Sequence, residues 1–231
     1  MKQQSGYKYS YSTTTIIEWL MKNNILLFNK ENPFTLKSGK TSSYFFNMGN
    51  INKGGSLAIM GLMFQQKITE IINRLDQDIV VFGSAYKGIP ICTVVAQTLD
   101  TMNIKRNAYF CFDRKEEKDH GDGGKFVGKD PKGMYVIIVD DVLTSGNSLL
   151  QAAEKLKKWG GTVVGACVGI DRMEPGDVDP GGNPMTMREV ISRQMGVTIA
   201  SVIDVETIAK SLIEGNQHEE ECLEMLKAIG R

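Results

Sequence analysis

The chain has 231 residues, 42% of them hydrophobic and 23% charged, with 27 basic side chains balanced by 27 acidic ones. That length accommodates one large domain or two small ones, and the composition excludes a disordered or fibrous chain. A formal net charge of zero provides no bulk field for nucleic acid or an anionic membrane, and no apolar run is long enough to cross a bilayer.

Residues 1–14 are polar and tyrosine-rich and lack the apolar core of a signal peptide. Thr15-Ile-Ile-Glu18 fits a capping box ahead of an apolar helix from Ile16 to about Asn23. Phe34 to Asn47 reads as a hairpin turning at Ser38-Gly39. Ser56 is placed to cap a helix reaching about Leu75, with Leu57, Met60, Phe64, Ile68 and Ile71 at helical spacing. Ile79-Val-Val-Phe82 is a short apolar strand ending at Gly83, and Ile89 to Met102 is helical, with Pro90 tolerated in its first turn.

Further strands are expected at Ala108–Phe112, Tyr135–Val139, Thr162–Ile170 and Val197–Ile203, with a helix at Leu149–Lys158. Strands alternating with helices imply an α/β fold with a largely parallel sheet covered on both faces. Two stretches interrupt the alternation. Arg114 to Lys132 is charged, glycine-rich and aperiodic, and Met173 to Pro184 is rich in Gly, Pro and Asp. Segments of this kind in compact domains are usually functional or disordered. The first is expected to move, and the second has no chemistry to assign. Cys92, Cys111, Cys167 and Cys222 are widely spaced, with no C-x-x-C pair. They are expected to be buried reduced thiols of a cytosolic protein rather than zinc ligands.

The chemistry is concentrated in Asp140-Asp-Val-Leu-Thr-Ser-Gly-Asn-Ser148, which follows an apolar strand and opens a helix. Ligands of open α/β sheets bind beyond the carboxyl ends of the strands, and free N–H groups at a helix N-terminus favour an anion. Gly146 allows close approach to a phosphate, and Thr144, Ser145 and Ser148 add hydroxyls. Asp140 and Asp141 repel phosphate and suit sugar hydroxyls or a bound Mg²⁺. The competing account is a plain strand–turn–helix corner, with Asp140 and Ser145 as turn and cap residues. Gly83-Ser-Ala-Tyr-Lys-Gly88 is a second strand-to-helix corner, with Lys87 as its cation. Arg114-Lys115-Glu-Glu-Lys118-Asp-His120-Gly121 gathers hydrogen-bond donors on a glycine-rich loop, which for an arbitrary charged segment reads as a solvated loop and becomes a water-excluding lid only if a reaction calls for one.

The 140–148 string resembles the phosphoribosyl-diphosphate signature of type I phosphoribosyltransferases. With Phe34-Thr-Leu-Lys-Ser-Gly-Lys40, Ser43-Tyr-Phe-Phe-Asn47, Ala85-Tyr-Lys-Gly-Ile-Pro90, the 114–121 segment and Asp171-Arg172, the chain resembles the orotate phosphoribosyltransferases from about Phe34 to Ile203. The resemblance implies one type I phosphoribosyltransferase-like domain over residues 1–231. It would carry a small N-terminal hood at about 15–50, a flexible lid at about 114–132 and a surface excursion at about 173–184.

The resemblance also implies roles. Lys37, Tyr86 and Lys87 touch phosphoribosyl diphosphate. Arg114, Lys115, Lys118 and His120 meet its diphosphate, some of them from the neighbouring subunit of a homodimer. Asp140, Asp141, Val142, Leu143, Thr144, Ser145, Gly146, Asn147 and Ser148 hold its ribose 5-phosphate. Phe45, Phe46, Thr144 and Arg172 receive orotate, a guanidinium fork matching its carboxylate. Lys118, His120, Asp140 and Asp141 are the implied catalytic set. Mg²⁺ is implied as the cofactor, held mainly by substrate, with Asp140 and Asp141 reaching it through water. Alternation along a strand lets only one of Phe45 and Phe46 present its side chain to a site. A purine transferase of the same fold leaves Arg172 unexplained, since purines carry no carboxylate. A non-catalytic regulator that binds phosphoribosyl diphosphate leaves the lid unexplained, and so does a generic nucleotide-binding module.

Overall fold

The structure, a computed structural model, describes residues 11–35, 41–102, 106–114 and 124–231. The chain enters through helix α1 (Thr13–Lys22), whose cap is Ser12, its Oγ accepting from the Thr15 N–H at 3.2 Å. The capping box expected at Thr15 is therefore one turn too late. Ser12 has the extended backbone a cap needs, and Thr15 already lies inside the helix. Ile16, Ile17, Trp19 and Leu20 are thereby turned inward.

Strand β1 (Leu26–Phe28) follows, then β2 (Phe34–Thr35), β3 (Thr41–Ser42) and β4 (Tyr44–Phe46). β2 pairs with β3 as the sequence predicts, but β4 leaves that hairpin and pairs antiparallel with β1. The expected turn at Ser38-Gly39 lies outside the described residues. After a 3-10 turn at Met48–Asn50, helix α2 (Gly54–Ile72) buries Met60, Met63, Phe64 and Ile68. Lys53, not Ser56, occupies its cap position. Ser56 lies in the first turn, and its Oγ donates to Asn23 Oδ1 at 2.7 Å, tying α2 to the end of α1. The hydroxyl serves a tertiary contact instead of a helix end.

The central sheet uses β5 (Ile79–Gly83), β6 (Ala108–Asp113), β7 (Phe126–Gly128), β8 (Tyr135–Leu143), β9 (Thr162–Asp171) and a last strand, β12. Helix α3 (Gly88–Thr101) joins β5 to β6, and α4 (Asn147–Lys158) joins β8 to β9. β10 (Pro175–Val178) and β11 (Pro184–Thr186) form a small hairpin ahead of α5 (Met187–Met195). Then come β12 (Thr198–Asp204), α6 (Val205–Glu214) and α7 (Glu219–Ala228).

The sheet order is β12-β9-β8-β5-β6-β7, parallel throughout except where β7 returns antiparallel to β6. This is the type I phosphoribosyltransferase architecture, a mostly parallel sheet flanked by helices. Residues 126–128, expected to belong to an aperiodic lid, form an edge strand instead, with Phe112 opposite Val127. Alternation along β5 builds the two faces. Ile79 and Val81 join a core with α1, α2, α3 and α6, while Val80 and Phe82 join a second core with α4 and α5. Phe64 and Phe82 are among the largest fully buried side chains, each contributing about 1.5–3 kcal/mol by leaving water.

Candidate active site

Strand order reverses at β5, from which β6 lies on one side and β8 on the other. Open parallel sheets leave a crevice at such a reversal, beyond the carboxyl ends of the strands. The chemistry-bearing loops fall there, since loop 84–87 follows β5, Arg114 follows β6, residues 144–148 follow β8 and Arg172 follows β9.

The loop after β5 doubles back on itself. A Cβ on Gly83 would lie 2.1 Å from the Gly88 carbonyl oxygen, and one on Gly88 would lie 2.6 Å from the Gly83 carbonyl carbon. Two glycine backbones therefore touch, and the residues between them are pushed outward. Gly88 N–H donates to Ser84 O at 2.9 Å, closing the base of the loop, and the Ala85–Tyr86 peptide is cis. Tyr86 projects with 67% of its surface exposed. Lys87 crosses the crevice, its Nζ 2.7 Å from Asp141 Oδ2.

β8 runs four residues past the predicted Val139, carrying both acids inside the strand. The reason is β9, which continues beside it and pairs Asp140 with Val168 and Leu143 with Asp171. Asp141 is buried and faces Lys87. Asp140 accepts from Ser148 Oγ at 2.6 Å and from the Asp141 N–H at 2.9 Å. Burial pushes its carboxyl above the ordinary carboxylate value, the Ser148 bond opposes this, and the Asp141 charge adds to it. Val142 is half-buried, and Leu143 is buried with its carbonyl taken by the Arg172 N–H, so a ligand can meet Leu143 only through its backbone.

Thr144 and Ser145 are exposed at the turn. Gly146 adopts the left-handed conformation, φ 71°, at the cap of α4, and a Cβ there would lie 2.4 Å from Ile191. No side chain caps this helix. Its first N–H groups have no intrahelical acceptor and lie at the turn with exposed Asn147 and Ser148.

Arg172 lies against Tyr44 of β4. Its guanidinium is 5.3 Å from the Tyr44 ring centroid, Nη2 donates to the Tyr44 hydroxyl at 3.3 Å, and Nε is 3.4 Å from Glu174 Oε1. Burial raises the Tyr44 phenol above its ordinary value, opposed by Arg172, so the hydroxyl stays neutral and accepts. A cleft of about 300 Å³, lined in part by Ser42, Ser43, Tyr44, Arg172 and Glu174, adjoins the guanidinium. Phe46 is buried edge-on to Tyr44, whereas half-buried Phe45 stacks on Phe34 at 5.4 Å. The two rings take opposite faces, as alternation requires.

Lys37, Lys115, Lys118 and His120 lie outside the described residues. Arg114 is held at the root of that segment by its N–H to Lys125 O at 3.0 Å. Two contacts give roles to residues of the quoted motifs that carried none. Tyr44 steadies Arg172, and Asp171, 1% exposed, meets Arg188 Nε of α5 at 3.1 Å. Asp113 ends β6 as Asp140 lies near the end of β8, and an acid closing an apolar strand was the legible signal for it.

A family profile described as the phosphoribosyl transferase domain matches residues 61–192. The orotate phosphoribosyltransferase of Halorhodospira halophila is 44% identical over 161 residues, 69% of this chain and 71% of that one. That of Salmonella arizonae is 36% identical over 213 residues, 92% of each chain. The crystal structure of the Francisella tularensis orotate phosphoribosyltransferase superposes with a TM-score of 0.72 at 30% identity, covering 95% of this chain and 96% of that one. With two strand-end loops suited to phosphate and a guanidinium against the hood, these likenesses establish that the chain belongs to the orotate phosphoribosyltransferase family.

Proposed function

We propose that the chain transfers the ribose 5-phosphate of phosphoribosyl diphosphate to N1 of orotate, giving orotidine 5′-monophosphate and diphosphate, a step of pyrimidine nucleotide synthesis. The observation that carries this reading is the Lys87–Asp141 contact across the crevice, 2.7 Å. It joins a cationic loop suited to diphosphate with an acidic strand end suited to ribose hydroxyls. Asp140 and Asp141 accept from the ribose hydroxyls. Thr144, Ser145, Asn147, Ser148 and the free N–H groups of α4 hold the 5′-phosphate. Lys37, Tyr86, Lys87, Arg114, Lys115, Lys118 and His120 address the diphosphate. Arg172 takes the orotate carboxylate, Thr144 and Phe45 or the backbone of Phe46 border its ring, and Tyr44 and Glu174 set the resting place of the guanidinium.

The bond from ribose C1 to the diphosphate oxygen breaks as orotate N1 bonds C1 from the opposite face, and the N1 proton leaves to the released diphosphate or solvent. Positive charge develops on the sugar and negative charge on the leaving group. In this reading Asp140 and Asp141 answer the first charge, and Lys87 and Arg114, with the cations that the resemblance assigns to the diphosphate, answer the second. A lid of the kind the sequence resemblance implies would keep water from capturing the sugar.

The donor set fits Mg²⁺ carried by the substrate. No cluster of three or more His, Cys, Asp or Glu occurs among the described residues. Two adjacent carboxylates do remain, matching the sparse protein ligation this ion accepts. Asp140 and Asp141 would hold it through water, and when bound it would neutralise charge on the departing diphosphate.

A homodimer follows the same logic. The 114–125 segment leaves from the β6–β7 edge, where Phe110 is 37% exposed beside a groove that includes Thr93, Ala96 and Gly128. A second copy seated there would receive the lid. The four free cysteines are buried, and burial pushes Cys92 up to about 11 and Cys111 up to about 12, which supports unreactive thiols and a cytoplasmic location. No helix among the described residues is long and apolar enough to cross a membrane.

The test is the loss of orotate ultraviolet absorbance with purified protein, Mg²⁺ and phosphoribosyl diphosphate, with hypoxanthine, adenine and uracil run in parallel. Metal-dependent turnover of orotate alone is the expected result. Turnover of a purine instead, or binding of phosphoribosyl diphosphate without turnover, overturns the assignment.

A further inference from the structure

We propose that Asp113 is a positioning residue for the diphosphate side of the site, fixing the 84–87 loop through its carboxylate and held in turn by Lys155. Asp113 is the last residue of β6 and only 6% exposed. Its two oxygens serve two different elements. Oδ1 accepts from the Ala85 N–H at 2.7 Å, and Oδ2 meets Lys155 Nζ of α4 at 2.5 Å. One carboxylate therefore links the end of β6, the loop after β5 and the helix after β8, the three elements that carry the diphosphate and phosphate groups.

Ala85 belongs to neither strand nor helix, so its N–H has no ladder or helical partner and depends on this acceptor. The base of the loop is fixed by the Gly88 and Ile89 amides bonding Ser84 O and Tyr86 O. The outward middle of the loop is held by Asp113. Lys87 is two residues from that anchor, and its ammonium must reach across the crevice to a fixed place. A buried carboxylate is retained only with a cation or several donors, and Lys155 supplies the cation from a side chain that is 46% exposed.

The proposal rests on the reading that loop 84–87 receives the diphosphate. It is tested by steady-state kinetics of the parent, Asp113→Asn, Asp113→Ala and Lys155→Met, recording KM for phosphoribosyl diphosphate, KM for orotate and kcat separately. Losing a charge-assisted bond predicts a rise of about tenfold or more in the phosphoribosyl diphosphate KM of Asp113→Ala, with the orotate KM unchanged. Asp113→Asn keeps a carbonyl oxygen for Ala85 and is expected to restore most of that loss. Lys155→Met changes a half-exposed surface residue. It is expected to raise the same KM by a smaller factor, about threefold, and it decides the question alone if Asp113→Ala does not fold. Equal changes in both KM values, an Asn variant no better than Ala, or an unchanged phosphoribosyl diphosphate KM in the folded variants overturns the proposal. A parent that transfers no phosphoribosyl group at all refutes the underlying function instead.

Discussion

Adding one methyl group at Gly83 should disable the diphosphate side of the site while sparing the fold. The Cβ of Gly83→Ala would stand 2.1 Å from the Gly88 carbonyl oxygen, where ordinary contact begins at 3.4 Å. The shortfall is about 1.3 Å, and the obstacle is backbone, so no rotamer change relieves it. The chain at Gly88 must move away, and Lys87 moves with it. A displacement of about 1 Å in a positioning group costs on the order of 10²-fold in rate, or about 2.7 kcal/mol of transition-state stabilisation. Strain from overpacking adds a stability loss of about 1–3 kcal/mol. The assay is kcat/KM for phosphoribosyl diphosphate at saturating orotate, alongside urea denaturation. Gly54→Ala is the control. A Cβ at Gly54 has nothing within 4 Å, and alanine in that helical turn should stabilise by about 0.4–1 kcal/mol without altering turnover. A Gly83→Ala enzyme within about threefold of the parent kcat/KM would refute the argument that these two backbones must touch for the loop to work.

Lys118→Ala should lower kcat by about 10²–10³, the usual scale for one transition-state donor, and a near-parental rate would remove the lid argument. Arg172→Ala should raise the orotate KM by about 10–100-fold through loss of a charged hydrogen bond. The phosphoribosyl diphosphate KM should stay unchanged, and equal effects on both substrates would displace Arg172 from base recognition. Burial holds the native Asp140 carboxyl above its ordinary value of 3.8, so the folded chain binds that proton more tightly than the unfolded chain does. Its contribution to stability is full below the ordinary value and is lost as pH rises through the raised native one. Asp140→Asn removes the dependence. Urea melts should show the variant gaining on the parent between acid and neutral pH, and a difference that falls over that range would contradict the assignment.

The elements legible in the sequence were those with strong local signals. Ile79–Phe82, Ala108–Phe112 and Thr162–Ile170 are apolar runs bounded by breakers, and each is a central strand. The 140–148 string was legible because two acids, three hydroxyls and a glycine follow an apolar strand within nine positions. Helix α5 shows a missed signal. Thr186 and Glu189 form a capping box, with the Thr186 N–H to Glu189 Oε2 at 2.6 Å, and the T-x-x-E spacing announces it. The Met173–Pro184 excursion gave no sign of pairing, yet β10 and β11 pair irregularly around a turn in which Asp179 Oδ1 accepts from the Gly181 and Asn183 N–H groups. Residues 126–128 carry too short a run for period to reveal a strand, and only β6 alongside makes them one.

By itself the sequence determined the alternating α/β plan, the glycines at 83, 88 and 146, and the candidate acids and cations of the proposed site. These follow from local sterics and from residue chemistry, which act within a few positions of the chain. Only the tertiary structure decided that β8 continues through both acids, that Lys87 rests on Asp141, that Tyr44 of the hood steadies Arg172, and that Asp113 holds Ala85. Each of those depends on polar groups 28 or more positions apart meeting within hydrogen-bond reach, or on a neighbouring strand supplying a ladder. Such distances are set by the sheet order and packing of the whole domain, and no local pattern encodes them.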